Sequence, residues 1–166
     1  MKLYSHPGAC SSASHIALLE AELDFDLVKL DLFSDRKLPD GRTLSDVNQK
    51  NSVPVLELDN GEILTENIAI LQYIADQNPS SGLAPANGTL ERYRLQEWLG
   101  YINFDLHAGI GPMFNPDLQD EVKPKVLEKF LGKLAYVEDT LTAKDYLMGD
   151  QFTVADPYLF IVMSWT

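Results

Sequence analysis

The first half of the chain alternates short apolar runs with amphipathic stretches. Apolar residues that alternate with polar ones, or form brief runs between turn signals, predict four strands at 2–5, 25–32, 53–58 and 63–64. Helical spacing predicts helices at 12–23 and from the N-cap candidate Thr65 to Asn78, with a short helix possible at 44–47. This order of elements predicts an α/β layer built on a mixed, four-stranded sheet.

The second half shows helical spacing only. Apolar positions recur three and four residues apart over 89–106, 118–141 and from 155 onwards, and Gly109 to Pro112 interrupts or kinks the first helix. The tract at 79–88 is rich in Pro, Gly, Ser and Ala, which is typical of a linker. We therefore expect an N-terminal domain at 1–78, a linker at 79–88 and an all-helical domain at 89–166.

Composition narrows the classes of function. With a formal net charge of −12 the chain repels phosphate backbones, so we expect no nucleic-acid partner. No apolar run approaches the ~20 residues that span a bilayer, and the first residues lack the features of a secretory signal. One cysteine forms no internal disulfide and suits a reducing compartment, so we expect a cytoplasmic protein with no membrane partner.

Cys10, the only cysteine, stands where the first strand turns into the first helix. A thiol in a first helical turn lies near unpaired N–H groups and the positive end of the helix dipole, which favour the nucleophilic thiolate. The alternative is a small buried core cysteine, the commoner role of a free cysteine. His, Cys and Asp are nowhere spaced as metal ligands, so neither a metal nor a prosthetic group is predicted.

Two further sites bear on chemistry. Pro54 follows Val53 at the start of a strand, where a cis bond would leave both backbone polar groups of Val53 free for an extended peptide. The residues alone favour an ordinary trans bond. Glu66 and Asn67 open a helix, whose first N–H groups attract a carboxylate while Glu66 attracts an ammonium. A plain helix start explains the same two residues.

Together these segments resemble the N-terminal domain of the glutathione S-transferase family, which has a thioredoxin-like fold, and the likeness continues through the helical half. The stretches that carry it are Met1–Tyr4, Pro7–Ser11, Val53–Leu56, Leu64–Ile74, Arg94–Leu99, Asp105–His107 and Gly149–Tyr158. The turn with Cys10 and the pair Leu106-His107 are most similar to the bacterial beta class. The resemblance implies an enzyme that conjugates glutathione, its co-substrate, to small electrophiles. It also allows thiol–disulfide exchange through Cys10.

The resemblance implies a role for each residue near the glutathione sulfur. Cys10 and His107 meet that sulfur and form the catalytic pair. Val53, ahead of a cis Pro54, pairs with the cysteinyl backbone of glutathione. An imidazole such as His107 hydrogen-bonds a thiolate or moves its proton near pH 7.

The resemblance also implies how the ends of glutathione are held. Glu66 and Asn67 bind the γ-glutamyl ammonium and carboxylate, and Asp105 reaches the site across the interface of a homodimer. The glycine carboxylate needs a basic partner, for which Arg36 is our choice and Lys37 the alternative. The tract from 31 to 51 departs from the family pattern and leaves this register open.

The walls of a second-substrate pocket are assigned from the same turn and from the helical half. The candidates are Tyr4, His6, Met113, Phe114 and Trp165. Tyr4 is also a rival partner for the sulfur, together with Ser5, Ser11 and Ser12, because other classes use a hydroxyl near this turn. Gly100 and Phe104 stand where relatives have polar ligand contacts, which predicts weaker binding.

Two other functions remain open. One is a glutaredoxin-like reductase of glutathione mixed disulfides, limited to a monothiol route because no second cysteine exists. The other is a transferase-like fold that serves as a non-catalytic binding module. Relatives continue with further helices, so we expect the helical domain to be incomplete at its C-terminal end.

Overall fold

The computed structural model describes residues 1–166 and contains one four-stranded sheet. Its strands are β1 (Lys2–Ser5), β2 (Asp26–Lys29), β3 (Val55–Glu57) and β4 (Ile63–Thr65). They lie in the order β2-β1-β3-β4, with β1 parallel to β2 and the other two pairs antiparallel. This mixed sheet confirms the predicted thioredoxin-like half. Strand β2 is shorter than predicted because the chain beyond Lys29 leaves the sheet and contacts His6.

Helices make up the rest of the ordered elements. They are α1 (Ser11–Glu20), α2 (Leu44–Val47), α3 (Asn67–Gln77), α4 (Leu90–Tyr101), α5 (Ala108–Ile110), α6 (Lys123–Thr142) and α7 (Ala155–Met163). A π-helical segment (Ile102–His107) joins α4 to α5, and short 3₁₀ turns occupy Pro79–Ser81 and Gly111–Phe114. The all-helical second half is therefore confirmed. None of these helices combines the length and apolarity needed to cross a bilayer.

Three helix boundaries differ from the sequence prediction. Thr65 ends β4 instead of capping α3, and Glu66 at φ 70° makes the turn into the helix. The predicted helix at 89–106 is α-helical only to Tyr101, because the chain then widens into the π-helical segment. The helix predicted from 118 starts at Lys123, with Pro124 in its first turn, where a missing N–H costs no hydrogen bond.

One hydrophobic core joins the two halves of the chain. Leu3 on β1 belongs to a cluster of 25 buried residues that extends through α1 and α3 into α4, the π-helical segment and α7. Helix α1 packs against both α3 and α7. Tyr4 points to the opposite face of the sheet and belongs to a smaller cluster with Leu30, Leu38, Leu44 and Val55. The junction between the halves is thus a packed interior and not a hinge.

A buried ion pair also crosses this junction. Both terminal nitrogens of Arg92 on α4 contact the carboxylate of Asp76 on α3, at 2.8 and 2.9 Å. The Arg92 side chain is only 3% exposed, and it also donates to the carbonyl of Pro85. Thr89 caps α4 by accepting a hydrogen bond from the Arg92 N–H at 3.2 Å. The first turn of α4 is therefore fixed to the end of α3.

Candidate active site

A cavity of about 480 Å³ opens at the junction of the two halves. The sheet half contributes the turn at 6–10, the segment around Leu32, Phe33 and Arg36, and the segment at 51–53. The helical half contributes His107, Phe114 and Trp165. This volume lies within the ~300–1,000 Å³ range of small-molecule sites. Cys10, Val53 and His107, which the family resemblance placed together, share this one cavity.

Cys10 directly precedes α1, and its Sγ donates a hydrogen bond to the carbonyl of Val53 at 3.4 Å. Burial and, to a smaller extent, the negative charge of Glu66 raise the pKa of the thiol to about 11. The backbone N–H groups of Cys10 and Ser11 act in the opposite direction but do not outweigh burial. The expected preference for thiolate is therefore wrong, because Cys10 is a neutral donor in these surroundings.

Hydroxyl groups hold the turn around Cys10. The N–H of His6 and the hydroxyl of Ser5 both donate to the buried Ser11 hydroxyl, at 3.1 and 3.0 Å. The N–H of Gly8 donates to the Ser12 hydroxyl at 3.1 Å. These serines are occupied in shaping the backbone, whereas Cys10 lines the cavity with a thiol that engages only the Val53 carbonyl.

The Val53-Pro54 peptide bond is cis, as the family resemblance implied and the residues alone did not. The Val53 carbonyl accepts from Cys10, whereas the Val53 N–H donates no hydrogen bond. Pro54 itself is buried and does not line the cavity. Val53 therefore offers an unused backbone donor beside the thiol.

His107 is the last residue of the π-helical segment, and its ring is held from two sides. Its Nδ1 lies 2.8 Å from the hydroxyl of Tyr158 on α7, and its ring stands edge-on to Trp165 at 4.9 Å. The Trp165 indole N–H donates to the carbonyl of Gly8 at 2.7 Å, and the ring also contacts Phe114. Burial lowers the pKa of His107, so its neutral form dominates at pH 7.

Arg36 and Lys37 have different surroundings. Arg36 lines the cavity, where its guanidinium donates to the carbonyls of Asn51 at 2.6 Å and Leu32 at 3.2 Å. Lys37 forms a solvent-exposed ion pair with Asp35 at 2.6 Å and lies outside the cavity. Of these two residues, Arg36 is therefore the one that can bring a positive charge to a ligand in this cavity.

Glu66 and Asn67 lie beside the cavity but do not line it. The exposed Glu66 carboxylate accepts from Lys50 Nζ at 2.6 Å, and the same Nζ donates to the Thr65 hydroxyl at 2.9 Å. Asn67 is buried, with its Oδ1 accepting from the Ser14 hydroxyl at 2.6 Å and its Nδ2 unpartnered. An ammonium group arriving at Glu66 has to compete with Lys50.

Besides Pro54, Glu66 and Asn67, three more predicted site residues do not line the cavity. The prediction that Tyr4 lines the pocket is wrong, because this residue is fully buried on the far face of the sheet. Its hydroxyl donates to Glu57 at 2.6 Å, and burial raises its pKa to about 12. The prediction that Met113 lines the pocket is also wrong, because this residue packs against the main core. Asp105 pairs with Lys133 of the same chain at 2.8 Å. Of the predicted pocket walls, His6, Phe114 and Trp165 line the cavity.

Comparison with known proteins identifies the family. Residues 1–76 match the family model for the N-terminal domain of glutathione S-transferases, and residues 101–166 match the model for the C-terminal domain. The chain belongs to the glutathione S-transferase family. Both the predicted family and the two-part architecture are thereby confirmed.

Individual relatives place the chain among the bacterial glutathione S-transferases. It is 46% identical over 165 residues to glutathione S-transferase GstA of Escherichia coli O157:H7, a match covering 99% of this chain and 82% of the relative. A solved sphingomonad glutathione S-transferase complexed with glutathione is 48% identical, with a TM-score of 0.95 over 99% of this chain and 82% of its own. The bacterial beta class enzyme of Sphingomonas chungbukensis is 46% identical, with a TM-score of 0.94 over the same shares.

Outside the turn at 6–10, four residues that line the cavity of this transferase were not predicted from the sequence, and neither was one residue behind them. Leu32, Phe33, Asn51 and Ser52 lie in the tract that departs from the family pattern, so no motif marked them. Phe33 carried a signal nonetheless, since a large aromatic between polar residues in a loop often serves a binding surface, and it is 85% exposed. Tyr158 gave no such signal, because a tyrosine at helical spacing is read as core.

Proposed function

We propose that this chain is a glutathione transferase that binds glutathione along the cavity and conjugates its sulfur to a small electrophile. The observation that carries the proposal is the shared cavity, which has a thiol, an imidazole and an arginine on its walls. Membership of the glutathione S-transferase family gives the enzyme class. The structure contains no group of three or more His, Cys, Asp and Glu side chains that could hold a metal ion.

The proposed pose of glutathione uses one group of the chain for each group of the tripeptide. The free N–H of Val53 pairs with the cysteinyl backbone, as in strand addition. The γ-glutamyl carboxylate lies at the N-terminus of α3, where the helix dipole favours an anion. Its ammonium reaches Glu66, which is held at φ 70°, a backbone conformation that persists mainly where function requires it. Arg36 binds the glycine carboxylate.

The proposed reaction needs one proton transfer. His107, neutral at pH 7, accepts the thiol proton of glutathione as the sulfur attacks the electrophilic carbon. The bond from carbon to the leaving group then breaks, and the leaving group departs with the electron pair. Cys10, which is neutral and donates to the Val53 carbonyl, can turn its S–H to the developing thiolate. Once it has taken the proton, His107 also donates to the reacting sulfur, so two donors then stabilise it.

The second substrate is proposed to be apolar and flat. Phe33, Phe114 and Trp165 form aromatic walls beside the turn that carries Cys10. His6 stands edge-on to Phe33 at 5.3 Å and is the one polar side chain of that wall apart from His107. A planar ring with an electron-poor carbon fits between such faces.

A homodimer is part of the same proposal. Leu90, Tyr93 and Phe104 are 59–80% exposed and recur at helical spacing along α4 and the π-helical segment. A row of exposed large apolar side chains on one face is typical of a protein–protein interface. Asp105 lies next to this row, although its pairing with Lys133 within the chain has to yield before it reaches a partner's ligand.

The proposal is tested with the purified chain on immobilised glutathione and with an activated aryl halide as electrophile. We expect retention, elution by free glutathione, and conjugate formation that saturates with glutathione. Binding without conjugation would support the non-catalytic module instead. Failure to bind at all would overturn the proposal.

Thiol–disulfide exchange is the second candidate, supported by the free thiol in the cavity. The Cys10 thiolate would attack a glutathione mixed disulfide, form a disulfide with the glutathione sulfur and release the other thiol. A second glutathione then releases Cys10 and leaves as the oxidised dimer. We expect Cys10→Ser to abolish this exchange. Intact mass should then no longer show the addition of one glutathione to the chain. Conjugation should keep at least roughly a tenth of its rate, since His107 remains. Equal loss of both activities would contradict separate roles for the thiol.

Arg36 and Lys37 provide a matched pair for testing the carboxylate contact. Arg36→Gln should raise the Kd for glutathione roughly 10-fold, because a charge-assisted hydrogen bond contributes about 1.5 kcal/mol or more. Lys37→Gln removes the same charge one residue away, outside the cavity, and should change the Kd less than about twofold. Isothermal titration with glutathione measures both. Equal effects would indicate long-range attraction and not a contact.

A further inference from the structure

Tyr158 is a buried residue of α7 that no step of the proposed reaction uses. Its side chain has no solvent exposure, and its hydroxyl lies between two residues of the π-helical segment. It donates to Asn103 Oδ1 at 2.9 Å and lies 2.8 Å from His107 Nδ1. The rings of His107 and Tyr158 stand edge to face at 5.9 Å, so the imidazole is fixed in orientation as well as in distance.

The protons in this contact can be counted. A tyrosine hydroxyl has one proton, and here it is directed to the side-chain amide oxygen Oδ1 of Asn103. The Tyr158 oxygen is then left to accept, so the hydrogen bond with His107 requires a proton on Nδ1. A neutral imidazole has only one N–H, and Nε2 therefore carries the lone pair.

The surroundings keep both groups in the required neutral state. Burial lowers the pKa of His107 and raises the pKa of Tyr158 well above its ordinary value. The Cys10 sulfur is close enough to Tyr158 for a thiolate there to raise that pKa further. At pH 7 the hydroxyl is therefore a proton donor to Asn103, and the imidazole is uncharged.

We propose that Tyr158 is a positioning residue that holds neutral His107 in the tautomer protonated at Nδ1, so that Nε2 is the base for the glutathione sulfur. This inference rests on the proposed function. In histidines generally, the group that is hydrogen-bonded to one imidazole nitrogen decides which nitrogen is free for chemistry. The π-helical segment serves this purpose by bringing Asn103 and His107 to the same hydroxyl.

Tyr158→Phe removes only the hydroxyl and tests the inference kinetically. We expect kcat to fall roughly 10- to 100-fold, the usual effect of losing a group that orients a functional histidine. The KM for glutathione should stay within about twofold, because Tyr158 does not line the cavity. The matched control is Tyr101→Phe, which removes a hydroxyl that donates to the Lys133 carbonyl at 2.8 Å, away from the cavity. It should retain full kcat.

The tautomer itself is measured by ¹⁵N NMR of the imidazole rings. The chain has three histidines, and His107 is assigned by its loss from the spectrum of His107→Gln. Wild-type His107 should carry its proton on Nδ1, and Tyr158→Phe should populate the Nε2-protonated form. A wild-type His107 protonated at Nε2 would overturn the inference, even if Tyr158→Phe does not fold. This readout needs no activity, so it separates failure of the inference from failure of the proposed function.

A double substitution separates positioning from packing. If Tyr158 acts through His107, Tyr158→Phe should cost less than about twofold in kcat when His107 is already Gln. Losses that multiply would show that Tyr158 acts independently of the imidazole, and the inference would fail.

Discussion

His107→Gln should lower kcat for conjugation roughly 100-fold or more, the range expected when a positioned general base is lost. Glutamine keeps a polar side chain of similar reach but cannot accept and carry the thiol proton. The Kd for glutathione should change less than about threefold, because the tripeptide is held by other residues. Stopped-flow or steady-state rates with an activated aryl halide, together with titration of glutathione, measure the two effects separately.

The rate of conjugation should also depend on pH in a direction that follows from the lowered pKa of His107. The base form of His107 is required, and burial keeps its pKa below the ordinary 6.5. Wild-type kcat/KM should therefore persist below pH 6.5 and fall only as the pH drops through the lowered pKa. His15→Gln is the control, since that ring packs on Phe25 outside the cavity and its loss should leave the profile unchanged. An acid limb that survives in His107→Gln would assign the base to another group.

Asp76→Ala should lower the free energy of unfolding by about 3 kcal/mol, because it leaves the Arg92 guanidinium buried without a counter-charge. This is the lower end of the cost of breaking a buried ion pair, since Asp76 is itself 38% exposed and water can partly replace it. Urea denaturation followed by circular dichroism measures the loss. Glu97→Ala, which breaks the exposed pair with Arg94, should cost less than about 1 kcal/mol.

Acid should reproduce part of this loss in the wild-type chain. Burial alone would raise the pKa of Asp76, but the hydrogen bonds from Arg92 and Asn87 outweigh it and hold the pKa below its ordinary value of 3.8. The pair therefore stabilises the fold fully above that value and less as the pH falls through the lowered pKa. If Asp76→Ala leaves the midpoint of urea unfolding unchanged, the predicted loss of stability is wrong and water already hydrates Arg92.

The sequence was most informative where local chemistry decides structure. The turn before Cys10, the succession of strands and helices along the first half and the helical second half all follow from apolar spacing and turn residues. The protonation state of Cys10 did not follow, because a helix N-terminus is visible in a sequence whereas the burial that outweighs it is not. Tyr4 shows the same limit: alternation separates it from Leu3 but does not say which face of β1 meets the cavity.

Residues that depend on backbone irregularities were the hardest to predict. The sequence left open which basic residue faces the cavity, because the tract at 31–51 matches no pattern. Arg36 itself adopts a positive φ of 53°, which nothing in the sequence indicated. Tyr158 became visible only once the π-helical segment brought Asn103 and His107 together. The domain boundaries at 78 and 88, and the ligand contacts of Glu66, Asn67 and Asp105, stay predictions.

The interior that runs unbroken from β1 to α7 has a consequence for how such chains diversify. Because α1 packs on α3 and α7 alike, neither half could be exchanged with that of a distant homologue without rebuilding the facing surface. A chimaera would inherit mismatched side chains directly beneath the turn that carries Cys10. We therefore expect substitutions at the rim, at positions such as Phe33 and Phe114, to change substrate preference at a lower cost in stability than an exchange of whole halves.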